Sequence, residues 1–241
     1  MKYSRPNRSY TTESISKGRN VIILGDEFHH LKSVMRMKLS DEFRLFNDID
    51  GEFLVKITEI SKSNMLVQAK SFLRNSNKPQ ELTLAMCIIK PDRMLEAIKA
   101  SVQLGVTQII PIISERTQYK QVSRNKIEKS IILSTVQSER FYPPKLMPEN
   151  TLSEFCKIND YDQIIFANEV EEGGNKIVNI NKIKGKVAIL IGPEGGFSQS
   201  EIDMIKSYNN VSSVSLGRNV LRAEIAAIST ISCVTMLRKD V

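Results

Sequence analysis

Two strand–glycine loop–helix units follow one another in the last quarter of the sequence, and they restrict the fold more than any other feature. The apolar runs Val187–Ile191 and Val211–Leu216 have the length of strands, and each runs into a glycine. The two loops begin at Gly192 and Gly217, and a helical pattern follows each of them. Tandem units of this kind indicate a parallel sheet with a ligand crevice at the carboxyl ends of its strands.

The first loop, Gly192–Gly196, has glycines that let backbone N–H groups approach a ligand, and its Pro193 stiffens the turn. Ser198 and Glu201 have the spacing of a capping box, which predicts that the next helix begins near Ser198. The loop matches neither of the glycine-rich phosphate-binding patterns, and Glu194 in its middle would repel a phosphate group. A neutral or cationic cofactor therefore suits this loop better. Taken alone, the loop would also fit a tight turn without a ligand.

The second loop concentrates charge at the start of a helix. It carries Arg218, and Arg222 and Glu224 follow within one helical turn. This concentration of charge next to a second glycine favours a ligand site over two plain turns. A charge pair that only stabilises the helix start is the simpler alternative for Arg222 and Glu224.

Both loops carry motifs of a known family. I-G-P-E-G-G at 191–196 and L-G-x-x-V-L-R-x-E at 216–224 resemble the ribosomal RNA small-subunit methyltransferase E family. Shorter matching stretches lie at 30–37, 90–99, 104–106, 114–116 and 137–140. The resemblance therefore covers nearly the whole chain. It implies a uridine-N3 methyltransferase of the SPOUT superfamily, with S-adenosyl-L-methionine as cofactor, an obligate homodimer and a C-terminal trefoil knot. Periodicity cannot show a knot, and general connection rules disfavour one.

The patterning predicts an α/β protein with two domains. Residues 1–73 contain short strands and a hairpin signal at 47–51, and the resemblance implies a small PUA-like, RNA-binding β-barrel. Residues 74–241 alternate strands with helices, as an α/β domain does, and the resemblance implies a SPOUT methyltransferase domain with its knot in about 162–241. The polar, proline-containing stretch 73–80 is the predicted boundary.

Three helices have predictable positions. Phe28–Met37 has apolar residues at helical spacing, and Pro91 and Gly105 are placed to begin and end another helix. The terminal helix, Arg222–Leu237, is apolar on nearly every face. Such a helix must be covered on most sides, either within its own domain or at a homodimer interface.

The composition fits a globular protein with a polyanionic partner. Hydrophobic residues make up 41% and charged residues 25% of the chain, and the net charge of +7 favours ribosomal or transfer RNA. Cys87, Cys156 and Cys233 lack disulfide or metal-ligand spacing, which predicts buried free thiols in a reducing cytoplasm. The adjacent His29 and His30 have no partner pattern, so no metal site is expected. No apolar run has the length of a membrane span or a signal region, so a cytoplasmic protein is expected.

Methyl transfer to uridine N3 assigns roles to individual residues. N3 is an imide nitrogen that must lose its proton, so the site needs a proton acceptor or cations that stabilise the anion. A guanidinium stays protonated, so Arg222 is expected to hold a uracil carbonyl or the anion, while either glutamate could accept the proton. The predicted catalytic residues are Arg222, Glu224 and Glu194. The predicted cofactor-binding residues are Phe166, Ala167, Asn168, Leu190, Ile191, Gly192, Pro193, Glu194, Gly195, Gly196, Leu216, Gly217, Val220 and Leu221.

The RNA surface is predicted from basic residues with aromatic residues among them. Tyr119, Phe141 and Tyr142 offer stacking surfaces for unpaired bases. The predicted RNA-binding residues are Arg5, Arg8, His30, Lys32, Arg36, Arg116 and Arg140. Charges that contact only solvent are the alternative for most of them.

Two positions depart from the family pattern and touch the predicted substrate pocket. Val136 and Ile225 stand where family members usually carry Glu and Thr.

The sequence as a whole predicts S-adenosylmethionine-dependent methylation of N3 of a specific uridine in 16S ribosomal RNA near the decoding site. A different nucleotide of ribosomal or transfer RNA remains an alternative target. A non-catalytic RNA-binding protein of ribosome assembly is the alternative from another class.

Overall fold

The protein is described by a computed structural model that covers residues 7–158, 160–168, 176–180, 183 and 185–238. It divides into two compact units. Unit 1 comprises Met1–Lys78 and Thr135–Pro143, and unit 2 comprises Pro79–Ser134 and Pro144–Val241. The predicted domains, 1–73 and 74–241, assign the segment Thr135–Pro143 to the second domain, and these bounds stay a prediction.

The described residues of unit 1 form a mixed five-stranded sheet. Its strands are β1 (Arg8–Tyr10), β2 (Asn20–Leu24), β3 (Glu42–Asn47), β4 (Gly51–Ile60) and β5 (Asn64–Arg74). Their order is β1-β3-β4-β5-β2, with β1 parallel to β3 and every other neighbouring pair antiparallel. The predicted hairpin is confirmed between β3 and β4, where the side-chain oxygen of Asn47 accepts hydrogen bonds from the N–H groups of Ile49 and Asp50. This is the local bonding that makes asparagine a turn residue.

The helix predicted at Phe28–Met37 is wrong in its bounds. Helix α1 (Gly25–His29) passes into a π-helical turn, His30–Val34, in which the N–H of Met35 donates to the carbonyl of His30 over 2.9 Å. A π turn holds one residue more than an α turn, so the 3.6-residue spacing fails there. The turn ends at Arg36, which has a φ of 56°.

The core of unit 1 follows the period of two that strands impose. Phe43 and Leu45 of β3, Val55 of β4, and Met65 and Val67 of β5 are fully buried. Alternate residues on each strand point to one face of the sheet, and that apolar face provides the main stabilisation of a small unit.

The described residues of unit 2 form a seven-stranded sheet in which all pairings are parallel. Its strands are β6 (Leu82–Cys87), β7 (Gln108–Ile113), β8 (Lys145–Leu146), β9 (Asn150–Thr151), β10 (Gln163–Ala167), β11 (Val187–Ile191) and β12 (Val211–Val214). The order is β12-β10-β11-β6-β7-β8, and β9 pairs with β7. The predicted strands β11 and β12 are confirmed, although β12 ends at Val214 and not at Leu216.

The helices that follow these strands are α2 (Pro91–Gln103), α3 (Arg124–Gln137), α4 (Leu152–Lys157), α5 (Gln199–Lys206) and α6 (Ala223–Leu237), with a 3-10 turn at Ile177–Asn179. The start of α2 at Pro91 is confirmed, and Gly105 with a φ of 105° follows its end. The capping box of α5 is also confirmed, because Ser198 and Glu201 exchange backbone-to-side-chain hydrogen bonds. Helix α3 lies in unit 2 up to Ser134, and its end begins the segment Thr135–Pro143 of unit 1.

Two apolar layers cover the two faces of the unit 2 sheet. Successive residues of β6 alternate between them: Leu84 and Met86 pack with α2 and α6, whereas Ala85 and Cys87 pack with α4 and α5. Buried free thiols are confirmed at Cys87 and Cys156, while Cys233 is half-buried. Burial raises the pKa of Cys87 to about 12 and that of Cys156 to about 11, so these thiols resist ionisation.

Helix α6 is largely covered within unit 2. Ala227, Ile231 and Val234 are fully buried, whereas Ile225 and Met236 are exposed. No helix in the part of the chain that the structure describes is long and apolar enough to cross a membrane.

Candidate active site

A cavity of about 340 Å³ lies at the carboxyl edge of the unit 2 sheet, a volume in the usual range of small-molecule sites. Strand β11 lies between β6 and β10, and the chain then passes to the far side of β10 to form β12. Because all these strands are parallel, the loops after β10, β11 and β12 meet at one edge. This reversal of strand order is where open α/β sheets bind ligands.

The cavity brings together nearly all of the predicted cofactor-binding residues. Those that line it are Phe166, Ala167, Asn168, Ile191, Gly192, Pro193, Glu194, Gly195, Gly196, Leu216, Gly217, Val220 and Leu221. Leu190 is the exception, since its side chain is fully buried in the layer that contains α5. Its strand alternates between the two faces of the sheet, so Leu190 belongs to the core and not to the cavity wall.

Sequence reasoning missed six residues of the lining. They are Arg93, Phe197, Ile202, Asn219, Ala223 and Ala226. Arg93 is the chemically important one, because it brings a guanidinium from α2, an element that follows the neighbouring strand β6. The only sequence signal for it was its position in the matching stretch 90–99.

The first glycine loop is tightly built around Phe197. A methyl group on Gly192 would lie 2.9 Å from the Phe197 ring, so a larger residue would displace that buried ring. Gly196 has a φ of 65°, in the left-handed region that glycine adopts readily, and its N–H donates to the carbonyl of Pro193 over 3.0 Å. The two glycines therefore allow a compact turn that exposes backbone groups to the cavity.

Two earlier segments of the chain, one before α2 and one after β7, also form hydrogen bonds with this loop. The N–H of Lys90 donates to Oε1 of Glu194 over 3.3 Å, which ties the middle of the loop to the start of α2. Nη1 of Arg116 donates to the carbonyl of Gly195 over 3.0 Å. The predicted catalytic residue Glu194 therefore lines the cavity with one oxygen already engaged.

Arg222 lies at the entrance to helix α6. It is the N-cap residue, with an extended backbone, an exposed side chain and a carbonyl that accepts from the N–H of Ala226 over 2.8 Å. It lines the cavity together with the second glycine loop. Arg222 is thus an exposed residue of the cavity lining at the start of α6.

Glu224 has a different position from the one expected of a proton acceptor. It is 3% exposed and does not line the cavity. Its Oε1 lies 3.9 Å from Nε of Arg93, and its Oε2 accepts no hydrogen bond from any residue that the structure describes. Burying a carboxylate is costly unless a positive charge or a hydrogen-bond donor compensates it. Arg93 provides the positive charge that compensates Glu224.

The predicted RNA-binding residues of unit 1 fall into two groups. Lys32 and Arg36 are exposed and His30 is half-buried, all on or just after the π-helical turn. Nζ of Lys32 lies 4.9 Å from the centre of the Phe28 ring and donates to the carbonyl of Ser61. This group presents positive charge at the surface of unit 1.

The other group is withdrawn from solvent. The side chain of Arg8 is only 3% exposed, and its Nε donates to Glu52 over 2.6 Å, so Arg8 has a structural environment and not that of a phosphate contact. Arg140 is half-buried, and burial lowers its pKa to about 10. Arg116 belongs to unit 2, where it lines the cavity. Arg5 lies outside the described residues.

Comparison with known proteins identifies two domain families in the chain. An RNA methyltransferase domain family matches residues 76–235, and an RNA methyltransferase PUA domain family matches residues 23–70. The chain is 39% identical over 240 residues to ribosomal RNA small subunit methyltransferase E of Rickettsia conorii, covering 98% of this chain and 97% of that protein. It is 31% identical over 216 residues to the protein of the same name from Buchnera aphidicola of Schizaphis graminum, covering 85% of each chain.

A solved structure shares the whole fold. It is the crystal structure of a ribosomal RNA small subunit methyltransferase E from Neisseria gonorrhoeae bound to S-adenosyl methionine. The two superpose with a TM-score of 0.86 at 26% identity, over 97% of this chain and 98% of that one. An N-terminal PUA domain and a parallel-sheet methyltransferase domain are therefore established for the protein. It belongs to the ribosomal RNA small subunit methyltransferase E family.

Proposed function

We propose that the protein transfers a methyl group from S-adenosylmethionine to N3 of a specific uridine in 16S ribosomal RNA near the decoding site, within the small subunit or its precursor. One observation carries the proposal: the two glycine loops and the end of β10 line a single cavity at the carboxyl edge of the unit 2 sheet. The family is one of S-adenosylmethionine-dependent ribosomal RNA methyltransferases, and the related Neisseria gonorrhoeae enzyme holds this cofactor.

The cavity has the chemistry that S-adenosylmethionine requires. Its wall is largely backbone and apolar side chains, with Glu194 as the one carboxylate among the described lining residues. A carboxylate near a cationic sulfonium is favourable, whereas it would disfavour a nucleotide phosphate. The bound cofactor supplies an electrophilic methyl carbon, and positioning this carbon against the attacking atom is the main task of the protein.

Arg222 and Arg93 are the cations that we assign to the substrate side of the cavity. Both line it, from the start of α6 and from α2. A uridine that loses its N3 proton carries negative charge on its carbonyl oxygens, and a guanidinium donates to such oxygens without losing its own proton. Arg222 would contact the base directly. Glu224 would act through Arg93, because its Oε1 lies 3.9 Å from Nε of that guanidinium.

Glu194 is the carboxylate that we assign to receive the N3 proton. It lines the cavity, whereas Glu224 does not. The hydrogen bond from the N–H of Lys90 fixes the carboxyl group while leaving a second oxygen for the proton. General-base catalysis needs such a group within hydrogen-bond reach of the proton that it removes.

We assign the first contacts with RNA to unit 1. Lys32 and Arg36 are exposed there beside His30, and the PUA family match covers this region. A nucleotide that reacts inside structured RNA must leave its stack, which costs a few kcal/mol, so a separate binding surface that grips the RNA backbone is advantageous. Arg140 belongs to the same unit and is a weaker candidate, because it is half-buried.

The remaining expectations complete the proposal. A homodimer would cover Ile225 and Met236 on α6 and Val220 in the second loop, which are exposed in the single chain. The trefoil knot that the family resemblance implies, in about 162–241, would lie in the segment that contains β10, β11 and β12. The cytoplasm is the compartment in which this substrate and the three free thiols belong.

The test uses purified protein, labelled S-adenosylmethionine and small ribosomal subunits that lack the modification. After the reaction the ribosomal RNA is digested to nucleosides, which are separated and identified by mass. We expect N3-methyluridine at a single position. Label in a different nucleoside, or in transfer RNA only, would contradict the proposed target. Binding of RNA without transfer to any substrate would favour a non-catalytic protein.

A further inference from the structure

Arg116 lies in a rigid turn directly after strand β7. The N–H of Ser114 donates to Oγ1 of Thr117 over 2.9 Å, and the N–H of Thr117 donates to the carbonyl of Ser114 over 3.2 Å. Both flanking side chains are buried, at 5% and 4% exposure. The backbone that carries Arg116 is therefore fixed, although the Arg116 side chain itself is exposed.

The Arg116 side chain lies along the first glycine loop. Its Nη1 donates to the carbonyl of Gly195 over 3.0 Å. A methyl group built on Gly195 would lie 3.7 Å and 3.8 Å from Cβ and Cδ of Arg116, so the aliphatic stem packs against the glycine backbone as well. Next to it, the N–H of Glu115 donates to Oε1 of Glu201 over 2.8 Å, which ties the same turn to the start of α5.

These contacts matter because the loop that they hold is intrinsically adaptable. Gly195 and Gly196 lack side chains that could restrict their backbone, and glycine loses more conformational freedom on ordering than any other residue. A loop that is ordered before its ligand arrives avoids this loss at the moment of binding. The bond to the carbonyl of Gly195 holds the loop itself, and the bond to Glu201 holds the start of α5, the helix that follows the loop.

We propose that Arg116 is a positioning residue that holds the first glycine loop in the conformation that binds S-adenosylmethionine, and not a contact to RNA phosphate. The inference rests on the proposed function, because it concerns the cofactor of that same site. It changes the role expected from the sequence, where Arg116 is one of a series of basic residues between β7 and β8. An arginine whose guanidinium and stem are both engaged by the loop acts first on the loop.

Arg116 as a positioning residue and Arg116 as a phosphate contact would affect the binding of different ligands. A positioning residue controls the affinity for S-adenosylmethionine in the absence of RNA. A phosphate contact controls RNA affinity, and each such contact contributes about 0.7 to 0.9 to the slope of log K against log salt concentration. Titration calorimetry with S-adenosylmethionine alone, and RNA binding at several salt concentrations, measure these two quantities separately.

The variants are Arg116→Ala and Arg116→Lys, with Lys120→Ala as the matched control. Lys120 carries the same charge in the same connection between β7 and α3 and is exposed. We expect Arg116→Ala to weaken S-adenosylmethionine binding about tenfold, which is the usual effect of losing one hydrogen bond to a charged donor. Arg116→Lys keeps a donor and should recover part of the affinity, and Lys120→Ala should have none of this effect. In turnover, KM for S-adenosylmethionine should rise more than kcat falls.

Thermal unfolding of the ligand-free variants separates positioning from folding. We expect Arg116→Ala to unfold within a few degrees of the unaltered protein, because its bond to Gly195 is exposed. Unchanged affinity for S-adenosylmethionine in Arg116→Ala, with a reduced salt slope for RNA, would overturn the inference. An unaltered protein that fails to bind S-adenosylmethionine would refute the proposed function itself, and the inference with it.

Discussion

The two units of the molecule each gather arginines, but in opposite surroundings. In unit 1, Arg8, Arg44 and Arg74 surround the carboxylate of Glu52, which is 1% exposed, and Glu139 pairs with two of them. Arg8 and Glu52 form the buried centre of this cluster, whereas Arg74 and Glu139 are partly exposed at 40% and 29%. Such a cluster tolerates the loss of one partner poorly, because the remaining charge stays buried without compensation.

In unit 2, Arg93, Arg116 and Arg222 line a cavity whose described lining contains a single carboxylate, Glu194. Arg116 donates to the carbonyl of Gly195, and Arg93 lies beside the buried Glu224. The same residue type therefore forms ion pairs with carboxylates in one unit and lines a cavity in the other. Both units contain three such arginines, so their number does not explain the difference in surroundings. The difference comes from how deeply the arginines are buried and from where the carboxylates lie.

The largest effect should come from Arg222→Ala in unit 2. Removing a cation that stabilises developing negative charge typically lowers kcat about 100-fold or more. Affinity for S-adenosylmethionine should change little, because the contact is with the base. The measurement is the rate of methyl transfer to unmodified small subunits. Arg218→Ala is the control: it removes an equal charge from the second loop at a residue that does not line the cavity. Equal losses in both variants would contradict the role of Arg222.

Glu52→Gln should be the most damaging change in unit 1. It leaves Arg8 buried beside a neutral group, and breaking a buried pair typically destabilises a protein by about 3 kcal/mol. Chemical denaturation monitored by a probe in unit 1 gives this value. The folded fraction should still methylate at nearly the unaltered rate. A variant as stable as the unaltered protein would show that the cluster is not structural.

The pH dependence of unfolding should also distinguish the units. Burial alone would raise the pKa of Glu52, but hydrogen bonds from Arg74 and Arg8 outweigh it and hold the pKa below its usual value. The stability from this group is therefore present above pH about 4.5 and is lost as the pH falls below it. Acid should loosen unit 1 first.

Alkali should act first on unit 2, which contains all three cysteines. The pKa of Cys87 is raised to about 12 by burial, so its thiol stays neutral in the folded protein while it ionises in the unfolded chain above pH about 9. The free energy of unfolding should fall between these values, and Cys87→Ala should reduce the fall. Hydrogen exchange of the two sheets across the pH range measures both effects. Simultaneous opening of both sheets at each extreme would contradict the prediction.

The smallest effect should appear in the salt dependence of RNA binding. Lys32→Ala removes an exposed charge and should lower the salt slope by about 0.7 to 0.9, the value of one phosphate contact. Arg8→Gln removes a charge that is 3% exposed and should leave the slope of the folded protein unchanged. A larger change for Arg8 than for Lys32 would reverse the assignment of the two residues.

The sequence predicted those features whose signals are local. Strand β11, the first glycine loop and the capping box of Ser198 occupy one continuous stretch, and each has its own residue pattern. The start of α2 at Pro91 was predictable for the same reason. All but one of the predicted cofactor-binding residues line the cavity, because the ends of parallel strands meet at one edge of a sheet.

The features that the sequence did not predict depend on contacts between distant segments. Arg8 and Glu52 are 44 residues apart, so nothing in the sequence around Arg8 distinguishes a buried partner from a solvent-exposed cation. Arg93 reaches the cavity only because β6 lies beside β11. Whether Glu224 points into the core or into the cavity depends on the rotation of α6 about its own axis. Helical periodicity cannot predict this rotation, because α6 is apolar on most of its faces.

The most direct test is a crystal structure of the protein grown with S-adenosylmethionine. We predict density for the cofactor in the cavity between the loops 192–197 and 216–222, with Glu194 and Arg222 at its edge and Arg116 still bonded to Gly195. Cofactor density at any other place in either unit, or an empty cavity at saturating cofactor concentration, would contradict the assignment of this cavity as the methyl-transfer site.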